Sequence, residues 1–227
     1  MNIERLNWDS DFFNLKIGKI VLDKRNTPVF SNVRTLLDNS DFDLIYIFSK
    51  NKIKELEAVD RKITYICEIP NCVTNDKSIV DYTDDPDSLY DLAYQSGHKS
   101  RFNIDPNISD YDFRRLYRLW IDNSINKTFA DYIKVYMQDG KPLGFITAKN
   151  YTDKIQIGLI AVNTTVRGKG IGKNLINSIM AIAKEHHLPV EVATQADNIG
   201  ACRFYESNGF SILDQCYIYH YWTKSKK

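Results

Sequence analysis

Ala161-Val162-Asn163-Thr164-Thr165-Val166-Arg167-Gly168-Lys169-Gly170-Ile171-Gly172-Lys173 is the stretch on which the reading of this chain turns. An apolar run, Ile155 to Val162, enters it, and a helical pattern over Gly170 to His186 leaves it, with Ile171, Leu175, Ile179, Ile182 and Ala183 on one face. Gly168, Gly170 and Gly172 let the backbone turn tightly. They also present successive N–H groups at a helix start, where the first four donors lack partners within the helix. The helix dipole favours an anion there, and Arg167, Lys169 and Lys173 add positive charge. The pattern predicts a cradle for a phosphate or pyrophosphate. It is not G-x-x-x-x-G-K-[ST], which speaks against a P-loop nucleotide site. It also lacks the dinucleotide spacing and follows a run of antiparallel strands late in the chain rather than opening a β-α-β unit.

Downstream, Pro189 to Thr194 reads as a strand and Asn198 to Asn208 as a short helix closed by Gly209. Phe210 to Trp222, rich in β-branched and aromatic residues, reads as the last strand. Upstream, Tyr132 to Gln138 and Leu143 to Lys149 form a hairpin about Asp139-Gly140-Lys141-Pro142. Ser109 to Ile125, with Phe113, Leu116, Tyr117, Trp120 and Ile121 at helical spacing, is a helix that Ser109 can cap. Pro86 to Ser96 is another. The order from residue 86 is α-α-β-β-β-α-β-α-β. Before it, strands over Leu15–Leu22, Asp43–Ser49 and Ile63–Ile69 alternate with short helices over Asn32–Asn39 and Lys52–Val59. The polar stretch Pro70 to Asp87 suggests a boundary, giving a small α/β domain over residues 1–80 and a second domain over 81–227.

Composition sets the class. Of 227 residues, 43% are hydrophobic and 26% charged, as in an ordinary globular protein, and the net charge of +1 gives no field for nucleic acid or a membrane surface. No apolar run approaches the roughly 20 residues of a bilayer span, and the N-terminus lacks a signal-like stretch, so the cytoplasm is the expected compartment. Cys67, Cys72, Cys202 and Cys216 are scattered without redox or zinc spacing, and we expect four reduced thiols and no metal. The tail Lys224-Ser225-Lys226-Lys227 reads as a solvated end.

Arg167-Gly168-Lys169-Gly170-Ile171-Gly172 resembles the [QR]-x-x-G-x-[GA] coenzyme A motif of GNAT acetyltransferases, and Ile160-Ala161-Val162 looks like that family's fourth strand. Asn198, Ala201, Tyr205 and Asn208-Gly209-Phe210 resemble its second signature, N-x-x-A-x-x-x-Y-x-x-x-G-F. The resemblance covers about the C-terminal 60% of the chain. It implies an α/β fold with a mixed, mostly antiparallel sheet splayed between its fourth and fifth strands and flanked by helices. It implies acetyl-CoA as co-substrate, its pantetheine arm along Ile160, Ala161 and Val162 and its pyrophosphate on Arg167 to Lys173. A bound amine would attack the thioester directly, without an acyl-enzyme. Tyr205 is implied as general acid toward the departing thiolate, and Asn198 as a ligand of the pantetheine or as a plain helix cap. Relatives carry a glutamate on the fourth strand. Here that strand is Ile155-Gln156-Ile157-Gly158-Leu159-Ile160, so either a base comes from elsewhere or water relays the proton from an amine that is already partly neutral. Glu68, among apolar strand residues, and His98 are the candidates.

Asn7-Trp8-Asp9-Ser10-Asp11-Phe12-Phe13, Ser96-Gly97-His98-Lys99-Ser100-Arg101-Phe102 and Leu116 to Ile121 are together similar to the dTDP-fucosamine acetyltransferase group. That resemblance implies acetylation of the 4-amino group of a dTDP-4-amino-4,6-dideoxyhexose for surface polysaccharide. Lys99 and Arg101 would meet the pyrophosphate, Phe102, Tyr111 or Trp8 would stack on the base or sugar, and Asp9 or Asp11 would hold the ammonium or hydroxyls. Another amine acceptor and a non-catalytic acetyl-CoA-binding module stay open, as does a homodimer paired through an exposed last strand.

Overall fold

The computed structural model describes residues 2–22, 30–68 and 76–223. The expectations for Cys72 and for the tail 224–227 lie outside them. Among the described residues the strands are β1 Glu4–Arg5, β2 Ile17–Leu22, β3 Leu44–Ser49, β4 Asp60–Cys67, β5 Ile79–Asp81, β6 Tyr132–Gln138, β7 Lys141–Asn150, β8 Ile155–Val162, β9 Val190–Gln195 and β10 Ser211–Trp222. They form one sheet in the order β1-β2-β3-β10-β4-β9-β8-β7-β6-β5. Most neighbours are antiparallel; β2/β3 and β8/β9 are parallel. The helices are α1 Asn7–Phe13, α2 Phe30–Asp38, α3 Asp87–Gly97, α4 Arg101–Ile104, α5 Asp110–Ile125, α6 Ile171–His186 and α7 Ile199–Ser207.

Two layers of helix cover the sheet. On one face α6 buries Ile171, Leu175, Ile176, Ile179 and Met180 against Tyr65, Ile146, Ile157, Val190 and Val192, each side chain contributing on the order of 2 kcal/mol. On the other face Leu89 and Leu92 of α3 and Phe113, Leu116, Tyr117 and Ile121 of α5 pack on Tyr46, Ile133, Val135 and Phe145. Helix α2 closes a smaller cluster over β2 and β3 with Val33 and Leu37. Ser109 caps α5, accepting from the Asp112 N–H at 3.1 Å, and Gly209 follows α7 at φ 86°, both as the sequence indicates.

The expected boundary near residue 80 separates no two sheets. β4, from the first third of the chain, lies between β9 and β10, and β10 joins it to β3. β10 is therefore interior and not the exposed last strand through which pairing of two copies was left open. The sheet instead ends in strands of two and three residues, β1 and β5, edges too short to template another chain. Lys52–Val59, expected as a helix, is irregular, with a turn at Lys54 and Glu55. Eight residues are too few to nucleate a helix without strong tertiary support, and the Ile53 N–H is taken by the Tyr219 hydroxyl at 2.7 Å. Helix α1 holds the aromatic opening motif, which carries no helical apolar period of its own. The hairpin is tighter than expected: Asp139 and Gly140, at φ 51° and 73°, form a two-residue turn.

Candidate active site

The site begins with a bulge. β7 and β8 pair Ile146 with Ile160 and Ala148 with Ile157, so Thr147 alone faces Gly158 and Leu159. The extra residue bends β8, and the Leu159 N–H turns to the Thr147 Oγ1 at 2.9 Å. A Cβ on residue 158 would come within 2.9 Å of that hydroxyl, so only glycine fits without displacement. Beyond the bulge the parallel pair separates. β8 and β9 are paired only over Ile155–Ile157 and Val190–Val192. Gly158 to Val162 and Ala193 to Gln195 then line opposite walls of a cleft of about 1350 Å³. Backbone donors and acceptors facing a gap between strands are what an extended ligand can pair with.

At one end of the cleft lie Arg167, Gly168, Gly170, Ile171, Gly172 and Lys173. Gly168 and Gly170 have φ of 78° and 81° with open space where a Cβ would stand. That left-handed backbone turns the N–H groups at the start of α6 outward. Arg167 folds back, its Nε donating to the Val162 carbonyl at 2.9 Å, while Lys169 is exposed and outside the lining. The cradle fits the diphosphate of a coenzyme A: donors at a helix start, room for phosphate oxygens where side chains would stand, and cations at its rim.

Tyr205 of α7 faces the middle of the cleft and is 3% exposed. Its ring packs on Tyr65 and Phe210, each at 5.7 Å. Burial, with Cys202 nearby, pushes its phenol well above the usual tyrosine range. It is held as a neutral O–H, able to donate. Asn198 lines the cleft and also caps α7 through Oδ1, which accepts from the Ala201 N–H at 3.3 Å.

The other end is built from α4, α5 and β4. Arg101 stacks its guanidinium 4.1 Å from the Tyr46 ring centre and 4.5 Å from that of Phe102. Its Nη1 is 3.4 Å from His220 Nε2, and His220 Nδ1 is 2.5 Å from Asp105 Oδ2, which also accepts from Trp222 Nε1 at 3.0 Å. Burial lowers the His220 pKa to about 4 despite Asp105. Burial alone would raise Asp105, but hydrogen bonds from His220, the Asn107 backbone and Trp222 bring it down to about 2. At neutral pH His220 is thus neutral, with Nδ1–H donated to Asp105 and Nε2 left to accept from Arg101. Burial raises the Asp9 pKa against the pull of Arg101. Asp60, 9% exposed, lines the same end, and its Oδ1 is buried without a hydrogen-bond partner. Burial pushes its carboxyl up to about 6, against Arg101, Lys62 and a hydrogen bond from Gln195.

Residues 90–210, just over half the chain, match the acetyltransferase (GNAT) family. The chain belongs to the GNAT family. Among curated proteins it is 31% identical over 139 residues to the spore coat polysaccharide biosynthesis protein SpsD of Bacillus subtilis (strain 168), covering 61% of this chain and 48% of that one. It is 29% identical over 126 residues to the N-alpha-acetyltransferase 30 of Saccharomyces cerevisiae, covering 52% and 70%. The chain thus spans about half the length of the first of these. In fold it is similar to a conserved protein of unknown function from Staphylococcus epidermidis, with a TM-score of 0.62 at 14% identity over 91% of this chain and 83% of that one. A GNAT acetyltransferase from Colwellia psychrerythraea gives 0.58 at 14% identity over 88% and 75%.

Within this GNAT frame the structure sorts the expected site residues. The cradle, the splayed strand, Tyr205 and Asn198 meet in one cleft, and His98, Lys99, Ser100, Arg101 and Phe102 line its other end. Glu68 is not brought there. It is exposed, one residue beyond β4, beside the Cys67–Val190 pair at the closed end of the β8/β9 splay. The apolar surroundings that made it a candidate base belong to its strand neighbours, not to it. Trp8 is 41% exposed and stacks on Phe12 at 5.4 Å, outside the cleft lining. Tyr111 is also exposed. Asp60, Tyr117 and the Asp105–His220 pair were not foreseen. Asp60 stands in Ala58-Val59-Asp60-Arg61 as an ordinary loop charge, and only the fold buries it. No helix among the described residues is long and apolar enough to cross a membrane.

Proposed function

We propose that this chain transfers the acetyl group of acetyl-CoA to the 4-amino group of a dTDP-4-amino-4,6-dideoxyhexose, by direct attack within a ternary complex. One observation carries the acetyl-transfer half of the reading. The β8/β9 splay opens a single cleft that runs from a glycine cradle, past unpaired strand edges, to a buried neutral tyrosine. In that cleft the pantetheine arm pairs with the Gly158–Val162 edge, and a backbone N–H there polarises the thioester carbonyl. Tyr205 gives its proton to the departing thiolate. Holding amine and thioester side by side supplies much of the rate. The sugar half is supported by similarity to a protein named for spore coat polysaccharide biosynthesis. The cleft's far end supports it too, with its deep cation, Arg101, and its aromatic floor of Phe102 and Trp120. These suit a diphosphate and a sugar or base face.

The test is thiol release from acetyl-CoA with the dTDP-4-amino sugars of galacto and gluco configuration, spermidine and a peptide α-amine. We expect release with a dTDP-amino sugar, slowed roughly 10²–10³-fold by Tyr205→Phe at unchanged acetyl-CoA affinity, since a positioned acid contributes about that much. Release with the peptide or spermidine alone overturns the sugar acceptor. Tight acetyl-CoA binding without release from any amine overturns the enzyme.

A further inference from the structure

We propose that Asp60 is the general base of this site, taking a proton from the acceptor's ammonium through its unpartnered Oδ1. The inference rests on the acetyl-transfer reading above and adds the residue that reading lacks. β8 has no carboxylate facing the splay. Asp60 reaches the cleft from β4, the strand beside β9, where Arg61 accepts the Ala196 N–H at 2.8 Å and anchors the end of the cleft wall. Asp60 lines the cleft, and its Oδ1 is buried there without a partner; such an oxygen calls for a donor that the fold itself does not supply. An ammonium is such a donor. The groups that bear most on its charge fit this use. Arg101 from α4 and Lys62 on its own strand keep a fraction ionised; Asp197, after β9, and burial keep it basic; Tyr117 of α5 faces it as a neutral phenol held there by burial.

The proton count closes. The acceptor enters as R–NH3⁺ and gives one proton to Asp60, which later releases it to solvent. The amine lone pair forms the C–N bond and the C–S bond breaks. The second proton leaves nitrogen as the amide forms and balances the one Tyr205 gives to sulfur. The products are the amide, the free thiol and one H⁺.

The experiment compares wild type with Asp60→Asn across pH 5.5–9.5, using whichever amine of the panel the wild type acetylates best. Acetyl-CoA binding is measured by calorimetry as the control for folding. We expect kcat to fall at least about 100-fold near neutral pH. KM should change little, and kcat of the variant should climb tenfold per pH unit as the free amine bypasses the missing base. A variant with wild-type kcat, or with raised KM and unchanged kcat, overturns the proposal, the latter making Asp60 a binding group only. So does a kcat lowered by the same factor at every pH, the mark of a merely structural role. If Asp60→Asn binds no acetyl-CoA, Asp60→Ser is measured under the same criteria. Wild type that binds acetyl-CoA yet acetylates no amine overturns the enzyme reading, and this one with it. An active wild type with an unimpaired variant overturns this one alone.

Discussion

Asp60 sets function against stability within one side chain. Its carboxyl rises from 3.8 to about 6 in the fold even after Arg101 and Lys62 are counted, so the ionised form is disfavoured there by on the order of 3 kcal/mol. The cost is full above pH 6, where both folded and unfolded chains are ionised, and disappears as pH falls below 3.8. Asp60→Asn should therefore raise Tm at pH 7.5, by roughly 2–12 °C for a gain of about 1–3 kcal/mol, as thermal unfolding would show. His220 acts in the opposite sense. Its pKa is depressed to about 4, so its contribution is complete above pH 6.5 and is lost as pH falls to 4. In the wild type the two effects oppose each other between pH 6 and 4. The Asp60→Asn variant should lose stability more steeply over that window than the wild type does. Arg101→Lys tests the deep cation. An ammonium keeps the charge but not the planar stacking on Tyr46 and Phe102 or the reach to His220. We expect acceptor KM to rise about tenfold with acetyl-CoA affinity unchanged.

At the scale of elements, the loop into α6 and the contact between α3 and α5 shape the two ends of the cleft by different means. Gly170 sits at φ 81° with nothing within 4 Å of a would-be Cβ. Gly170→Ala therefore meets only backbone strain, about 1–2 kcal/mol. The strain relaxes by turning the first N–H groups of α6, and calorimetry should show roughly tenfold weaker acetyl-CoA binding. Gly97 is crowded instead. A Cβ there would fall 2.2 Å from the Tyr117 Cζ, on a ring wedged between Phe113 and Trp120 at 4.7 Å from each. Gly97→Ala should cost about 1–3 kcal/mol by overpacking and raise the acceptor KM, because Tyr117 and Trp120 line the acceptor end.

At the scale of the molecule, β4 and β10 interlock the two halves of the chain. β4 carries Asp60 to the cleft, and β10 carries His220 to Arg101. Removing residues 1–80 would strip β9 and β10 of their shared neighbour and leave long unpaired edges. The fragment 81–227 is expected to be insoluble. The full chain should unfold in a single transition, with tryptophan fluorescence and far-ultraviolet dichroism coinciding in urea.

What the sequence determined by itself was local in its chemistry. Glycine spacing before α6, the longer helical and alternating apolar periods, the Ser109 cap and the Gly209 stop each depend on residues within a few positions, and each became the element expected; the short run Lys52–Val59 did not. The glycine turn before α6 and the short helix that carries Tyr205 were legible because their motifs lie within single strand–helix connections. Tertiary structure alone decided the rest. It put a strand from residues 60–67 between two strands from the far end of the chain, and so buried Asp60 while leaving Glu68, eight residues on, in water. Burial, and with it the basicity of a carboxylate, depends on which distant segments pack against it. No neighbour along the chain states that.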